Sequence, residues 1–260
     1  MPAKMNTECS DLPPAPGMRI GMLTPSSNTV LEPLTNALMA PLAGQVSAHF
    51  GRFRVTHISL GASSNQQFSL DPILDAAELL ADAYPDVIAW NGTSASWLGF
   101  ASDDRLCAAI TERTGVRASS TIVALNRLLR LMDVRKLGLV TPYTQDVQHR
   151  IMRNYADIGI ETVSEAHCDL TENFAFCRVT EDRIAQMCRK VAQAKPDAIA
   201  IVCTNMRGPM IVSELEAELG IPILDSVAVT LWGCLTTIGA DMSSLSSSGR
   251  LFMVREHFDA

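Results

Sequence analysis

Short apolar runs alternate with amphipathic segments along most of the chain. Two of the apolar runs end at a Thr-Pro pair, at Pro25 and Pro142, and two more follow a Pro-Asp pair and cover residues 87–90 and 198–202. Uninterrupted apolar runs of this length are typical of strands that are buried on both faces of a parallel sheet. The pattern therefore predicts buried parallel strands at these four places.

Segments with helical periodicity separate the predicted strands. The spacing of their apolar residues predicts helices over residues 28–39, 102–114, 146–157 and 208–219. Gly115 and Gly220 follow two of these segments, as is typical where a helix ends in a left-handed residue. This alternation of strands and helices predicts an α/β fold built from doubly wound parallel sheets.

The chain contains an internal repeat. Three segments recur in the same order: residues 19–26 at 136–143, residues 85–93 at 196–204 and, more weakly, residues 115–120 at 220–225. Three matches in one order indicate two copies of one unit. We therefore predict two pseudo-symmetric, flavodoxin-like halves with the active site in the cleft between them. The predicted boundaries are a disordered tail over 1–18, a first half over 19–120 plus 225–260, and a second half over 121–224.

The repeat also predicts where a ligand binds. In doubly wound sheets, ligands lie beyond the carboxyl ends of the strands. The segments that follow the predicted strands are residues 24–28, 92–96, 141–145 and 203–207. Gly92 and Cys203 occupy equivalent places in the two copies, and a pseudo-two-fold axis places them on opposite sides of one cleft.

Composition and charge narrow the function classes. The 260 residues are 47% hydrophobic, which excludes a disordered chain, and the net charge is −7 with no basic stripe. We therefore expect neither a nucleic-acid partner nor a membrane partner. No apolar run is long enough to span a bilayer, and residues 1–18 lack the apolar core of a signal peptide, so a cytoplasmic location is expected.

The cysteines and histidines do not form a recognisable metal or disulfide pattern. The seven Cys are widely spaced without a Cys-x-x-Cys pair, and the five His show no ligand spacing. This usage is typical of a reducing compartment, and we expect no metal site. The composition does not determine the oligomeric state and is compatible with a homo-oligomer.

Several motifs carry a family resemblance over most of the chain after Arg19. The motifs are Thr24-Pro25-Ser26-Ser27-Asn28-Thr29, Gly92-Thr93-Ser94, Thr141-Pro142-Tyr143, Cys203-Thr204 and Gly249-Arg250-Leu251-Phe252. With these motifs the chain resembles the aspartate/glutamate racemase superfamily, in the branch of the maleate cis–trans isomerases and arylmalonate decarboxylases. The resemblance implies a cleft with one Cys from each half, and an Asn28 side chain that holds a substrate carboxylate. Capping of the following helix is the alternative role for Asn28.

The chain departs from the two-cysteine pattern at one decisive position. Asn91-Gly92 stands where a two-cysteine member has its first Cys, and Cys203 keeps the second. A single Cys opposite a Gly resembles the arylmalonate decarboxylases. Racemisation needs one group to remove a proton and another to deliver one, whereas decarboxylation needs one acid. In this family, isomerisation of maleate begins with thiolate addition by the missing Cys.

We therefore expect a cofactor-free lyase that acts on a small dicarboxylate. The predicted reaction is decarboxylation of a substituted malonate or related diacid through an enediolate that Cys203 protonates. The alternative is an isomerase or racemase of a small diacid or amino acid, of the maleate isomerase or Asp/Glu racemase type. If Gly92 faces Cys203, the substitution Gly92→Cys is expected to introduce or raise racemase activity.

The resemblance also implies the remaining site residues. Thr93, Ser94 and Tyr143 match oxyanion-binding positions. The predicted substrate-binding residues are Pro25, Ser26, Asn28, Asn91, Thr204 and Asn205. Alternative roles are a buried core cysteine for Cys203 and helix capping for Thr93 and Ser94. Trp90 and Trp97 flank Gly92, and either could line the site or pack in the core.

Two other function classes fit parts of the sequence. The segment from Gly92 to Ser96 resembles the Gly-x-Ser-x-Gly elbow of a serine hydrolase, but Ser96 replaces the last glycine that the elbow requires. A non-catalytic binding protein with two lobes also fits a duplicated cleft. Turnover of any diacid would dismiss the binding protein.

Overall fold

The predicted apolar runs form strands of two parallel sheets. The computed structural model describes residues 17–60 and 70–255, so residues 1–16 of the predicted tail lie outside the described residues. The first sheet contains β1 (Met18–Pro25), β2 (Val46–Phe53), β3 (Val87–Trp90) and β4 (Ala118–Ser120). The second sheet contains β5 (Lys136–Val140), β6 (Glu161–Ala166), β7 (Ala198–Ile201) and β8 (Ile223–Asp225).

The two sheets have the same topology. The strand orders are β2-β1-β3-β4 and β6-β5-β7-β8, and all paired strands are parallel. Both ends of β7 lie 111 residues after those of β3, and both ends of β8 lie 105 residues after those of β4. The predicted repeat and the doubly wound α/β fold are therefore confirmed. The direction of winding reverses between β1 and β3 in the first sheet and between β5 and β7 in the second. Doubly wound sheets bind ligands at this point.

Helices connect and cover the strands. They are α1 (Leu31–Met39), α2 (Leu70–Ala81), α3 (Ala95–Leu98), α4 (Ala101–Thr114), α5 (Thr121–Leu131), α6 (Gln145–Asp157), α7 (Glu181–Ala192), α8 (Val212–Leu219) and α9 (Ser226–Ile238). Short 3-10 turns cover Ala40–Leu42, Asn173–Arg178, Pro209–Ile211, Ser243–Ser248 and Arg250–Met253. None of the helices in the described ranges is long and apolar enough to cross a membrane.

Two helices begin later than the periodicity predicts. Helix α1 begins at Leu31 rather than at residue 28, because the Asn28 side chain accepts hydrogen bonds from backbone N–H groups at the start of the helix. Helix α8 begins at Val212, because a 3-10 turn that starts at Pro209 precedes it. The predicted ends are confirmed, since Gly115 and Gly220 adopt φ of +72° and +71°.

The core lies on both faces of the two sheets. Every residue of β3 and β7 is buried, as the uninterrupted apolar runs predict. Helix α9 follows the last strand of the second sheet but packs against β3, β4 and α5. The chain therefore returns to the first sheet after β8.

Candidate active site

A small cavity lies where the carboxyl ends of strands from both sheets meet. It lies beyond β1 and β3 of the first sheet and β5 and β7 of the second. About 20 Å³ of it is open to the centre of a water molecule, which is room for about one water. The lining residues are Pro25, Val55, Ile58, Trp90, Gly92, Thr93, Ser94, Trp97, Tyr143, Asn173, Cys203 and Thr204.

Seven of the eleven predicted site residues line this cavity. They are Pro25, Gly92, Thr93, Ser94, Tyr143, Cys203 and Thr204. Ser26, Asn28, Asn91 and Asn205 are not among the lining residues. Ser26 is exposed, and its hydroxyl accepts a hydrogen bond from the Val55 N–H at 3.2 Å, which holds the chain that follows β2.

Cys203 is held in place by backbone hydrogen bonds just after β7. Its N–H donates to the Ser226 hydroxyl at 3.1 Å, and its Sγ accepts from the Asn205 N–H at 3.3 Å. Burial raises the pKa of the Cys203 thiol to about 12, although hydrogen bonds from Asn205 and Tyr143 favour the thiolate. At neutral pH this group is therefore a protonated thiol.

Thr93 and Tyr143 join the two halves through a hydrogen bond. Thr93 Oγ1 and Tyr143 Oη lie 2.6 Å apart, and both residues are buried. Tyr143 also makes edge contacts with the rings of Trp97 and Phe176, at centroid distances of 5.1 and 5.5 Å. Burial raises the pKa of Tyr143 well above its usual value, so its hydroxyl remains a hydrogen-bond donor.

The Ser94 hydroxyl is not used to cap a helix. Ser94 precedes α3, but its backbone is already helical and its side chain makes no capping hydrogen bond. The Thr93 backbone carbonyl accepts from the Ser96 N–H at 3.0 Å and from the Ser96 hydroxyl at 2.7 Å. Thr93 and Ser94 both line the cavity, and the Thr93 side chain bonds Tyr143 rather than the helix.

Gly92 lies in the same cavity as Cys203, but the space beside it is filled. A Cβ atom on Gly92 would lie 1.9 Å from Cζ2 of the Trp90 indole. The expected racemase activity of Gly92→Cys stays a prediction, and it requires the Trp90 ring to leave the volume that the new side chain needs. Cys203 is the one cysteine among the residues that line the described cavity.

Asn28 joins the two halves rather than facing the cavity. Its Nδ2 donates to the carbonyl and the hydroxyl of Thr204 at 3.1 and 3.2 Å, and its Oδ1 caps α1. Thr204 Oγ1 in turn donates to the Asn91 carbonyl at 3.1 Å. The capping role is thus observed, and both ends of the amide are engaged within the protein.

Asn205 and Asn91 are also engaged away from the cavity. The Asn205 Oδ1 accepts from the Thr29 N–H at 3.1 Å, and its Nδ2 donates to the Asn173 carbonyl at 2.7 Å. Asn91 Nδ2 lies 3.1 Å from Met22 Sδ, inside the first sheet. The Asn205 side chain therefore joins two loops near the cavity, whereas the Asn91 amide lies within the sheet and its Oδ1 has no hydrogen-bond partner.

Sequence reasoning missed three lining residues. Val55 and Ile58 follow β2, whose carboxyl end lies beside that of β1, so the strand order is the signal that indicates them. Asn173 lies in a 3-10 turn far from any motif, and its Nδ2 donates to Ser27 Oγ at 2.8 Å. No local sequence signal indicates this residue.

Two buried carboxyl groups occupy related places in the two halves. Asp225, at the end of β8, caps α9 through Oδ1, and its Oδ2 has no hydrogen-bond partner. A Cβ atom on Gly208 would lie 2.2 Å from this Oδ2. By the repeat offset of 105 residues, Asp103 is equivalent to Gly208 and Ser120 is equivalent to Asp225. The carboxyl group therefore comes from the helix side in the first half and from the strand end in the second. Burial raises the pKa of both Asp103 and Asp225 to about 7.

Metal ligation is not supported by the arrangement of side chains. Within residues 17–60 and 70–255, no group of three or more His, Cys, Asp or Glu side chains could hold a metal ion. The polar groups on the cavity wall are instead hydroxyls, amides and one thiol. Such a set can bind an anion by hydrogen bonds and exchange one proton.

The chain is similar to known enzymes over most of its length. The family model of arylmalonate decarboxylase matches residues 30–252. The arylmalonate decarboxylase of Bordetella bronchiseptica is 26% identical over 231 residues, which cover 85% of this chain and 96% of that protein. A maleate isomerase of Geobacillus stearothermophilus is 24% identical over 234 residues, which cover 85% of this chain and 91% of that protein.

A solved structure has the same fold. Maleate cis-trans isomerase of Nocardia farcinica, bound to TRIS, matches with a TM-score of 0.81 at 24% sequence identity, over 90% of this chain and 97% of that chain. Its likeness confirms the α/β architecture with two halves. Because the family match runs through most of the sequence, this chain belongs to the arylmalonate decarboxylase family, in the branch of the Asp/Glu racemase-like superfamily that also contains the maleate isomerases.

Proposed function

We propose that the protein decarboxylates a substituted malonate or a related small dicarboxylate without a cofactor. The observation that carries this proposal is the pairing of one thiol, Cys203, with a glycine whose neighbouring space is filled by Trp90. A site of this kind offers one proton donor and no second base. Decarboxylation is the reaction of this family branch that needs only one.

The reaction proceeds in two steps. The bond between the α-carbon and one carboxylate breaks, CO₂ leaves, and the bonding electron pair passes into an enediolate formed with the remaining carboxylate. The Cys203 S–H then gives its proton to the α-carbon and becomes a thiolate, which solvent reprotonates. The raised pKa of the Cys203 thiol, about 12, keeps this proton on sulfur until the enediolate forms.

Hydroxyl groups on the cavity wall stabilise the enediolate. Thr93, Ser94 and Tyr143 are buried and line the cavity, so they can donate to the two oxygens on which charge develops. Loss of one such donor typically reduces the rate by about 100- to 1000-fold, or about 3 to 4 kcal/mol. Burial makes these bonds stronger than the same contacts in water.

Isomerisation of a small diacid is the second candidate. It is supported by the maleate isomerases among the sequence relatives and the solved structures of this fold. The resemblance assigns the thiolate that adds to maleate to the position of Gly92, which has no side chain, and burial raises the pKa of the remaining Cys203 thiol to about 12. We therefore rank decarboxylation first.

Turnover of malonates by a cysteine variant tests the proposal. We expect purified protein to release CO₂ from methylmalonate or phenylmalonate in the presence of EDTA, and Cys203→Ala to lower this rate at least about 100-fold. Cys188→Ala is the matched control, because Cys188 is equally buried but lies on α7 outside the cavity. Undiminished CO₂ release by Cys203→Ala contradicts the mechanism, and conversion of maleate to fumarate without CO₂ release favours the isomerase.

A further inference from the structure

Trp90 and Gly92 compete for one volume at the end of β3. Residues two apart along an extended chain project to the same side. The space for a Cβ atom on Gly92 lies 1.9 Å from Cζ2, 2.2 Å from Cε2 and 2.6 Å from Cη2 of the Trp90 indole. All three distances are shorter than any contact between carbon atoms, so the ring already occupies the place of a side chain at residue 92.

The equivalent position in the second half of the protein carries a thiol instead of an indole. Ile201 and Cys203 stand 111 residues after Trp90 and Gly92. Ile201 is the last residue of the equivalent strand β7, and Cys203 follows it by two residues. There an aliphatic residue ends the strand and a thiol follows two residues later, whereas in the first half an indole ends the strand and a glycine follows. The indole therefore substitutes in volume for the missing thiol.

The Trp90 ring is held in this position by its neighbours. Trp90 is 1% exposed, and its ring lies 5.0 Å from the Phe53 ring, centroid to centroid, at an interplanar angle of 45°. Val55 and Ile58 are further apolar residues on the cavity wall. The contact with the Phe53 ring restricts movement of the Trp90 ring.

The volume left beside the ring is small. The cavity volume is about 20 Å³, whereas a protein cavity that binds benzene has a volume of roughly 150 Å³. Two carboxylates and an α-carbon already exceed the space available, so any substrate must widen the cavity. A phenyl substituent requires much more widening than a methyl group. The two largest side chains on the wall are Trp90 and Trp97, and Trp90 is the one whose ring fills the space beside Gly92.

We propose that Trp90 is a specificity-determining residue: its indole occupies the place of a second thiol and restricts the site to malonates with a small α-substituent, such as methylmalonate. This inference rests on the proposed decarboxylase function.

Substrate preference is the first test. We expect the native protein to decarboxylate methylmalonate with a kcat/KM at least about 100-fold above that for phenylmalonate, and Trp90→Ile to raise the value for phenylmalonate at least about 10-fold. Trp232→Leu is the control, because Trp232 is equally buried but lies on α9 outside the cavity. Equal turnover of the two malonates by the native protein, or an unchanged preference in Trp90→Ile, overturns the proposal.

A stability cycle tests the steric claim independently of activity. We expect Gly92→Cys to lower the Tm by about 5 °C in the native background and by clearly less in the Trp90→Ile background. The double variant has Ile at position 90 and Cys at position 92, as the second half has Ile201 and Cys203. Equal losses in both backgrounds overturn the assignment of this volume to Trp90. If neither malonate is decarboxylated but the losses differ, the proposed function and the substrate preference fail while the steric role stands.

Discussion

The buried carboxyl group of Asp225 makes the stability of this protein depend on pH. Asp225 is fully buried; its Oδ1 accepts hydrogen bonds from the N–H groups of Val227 and Ala228 at 2.8 and 3.4 Å, and its Oδ2 has no partner. Burial raises its pKa from the ordinary value of 3.8 to about 7. The substitution Asp225→Asn removes the charge and keeps a good helix cap, because Asn and Asp cap helices equally well.

The size and sign of the effect follow from this change in pKa. A carboxyl pKa of about 7 in the folded state, against 3.8 in the unfolded state, corresponds to about 4 kcal/mol. Between pH 3.8 and 7 the folded state binds more protons than the unfolded state, so the free energy of unfolding falls as the pH rises through this window. Below this window both states are protonated and no stability is lost; above it the loss is complete.

Urea unfolding at pH values from about 4.5 to about 8 measures the effect. We expect the free energy of unfolding of Asp225→Asn, relative to the native protein, to increase with pH by up to about 4 kcal/mol and to level off above about pH 7. The matched control is Asp157→Asn, which removes one exposed carboxylate at the end of α6 and leaves Asp225 in place, so the pH dependence that Asp225 confers is expected to remain. Parallel pH profiles of Asp225→Asn and the native protein would refute this reasoning.

Three further predictions concern contacts around the cavity and between the halves. Gly208→Ala is expected to lower the free energy of unfolding by about 1–3 kcal/mol, because its Cβ would lie 2.2 Å from Asp225 Oδ2. In urea unfolding, adding Asp225→Ser to Gly208→Ala should restore most of this stability. If the loss is the same in the double variant, the contact is contradicted. Tyr143→Phe is expected to reduce kcat for a malonate about 100-fold, since it removes a hydroxyl that lines the cavity and lies 2.6 Å from Thr93 Oγ1. A change confined to KM would count against the oxyanion role. Asn28→Ala is expected to lower the free energy of unfolding by about 1–3 kcal/mol, because it removes both the cap of α1 and the bonds to Thr204; calorimetry that shows no loss of stability would exclude this role.

Local patterns along the chain define the two sheets and the position of the cleft. Apolar runs mark the buried parallel strands, and the internal repeat assigns Gly92 and Cys203 to the ends of equivalent strands. Both ends of β7 lie 111 residues after those of β3, and both ends of β8 lie 105 residues after those of β4, which confirms the repeat. Strand order brings the carboxyl ends of neighbouring strands together within each sheet, whereas packing of the two halves brings the edges of both sheets to one cavity.

Long-range packing, in contrast, determines which side chains face the cavity. Asn28 matches a ligand-binding motif, yet its amide bonds Thr204 and caps α1, and Asn173 reaches the cavity from a turn that no motif marks. The sequence likewise does not predict that the Trp90 indole lies over Gly92 and against Phe53. Rotamers and contacts between distant segments depend on close packing of the whole core, whereas strand and helix patterns depend on neighbours along the chain.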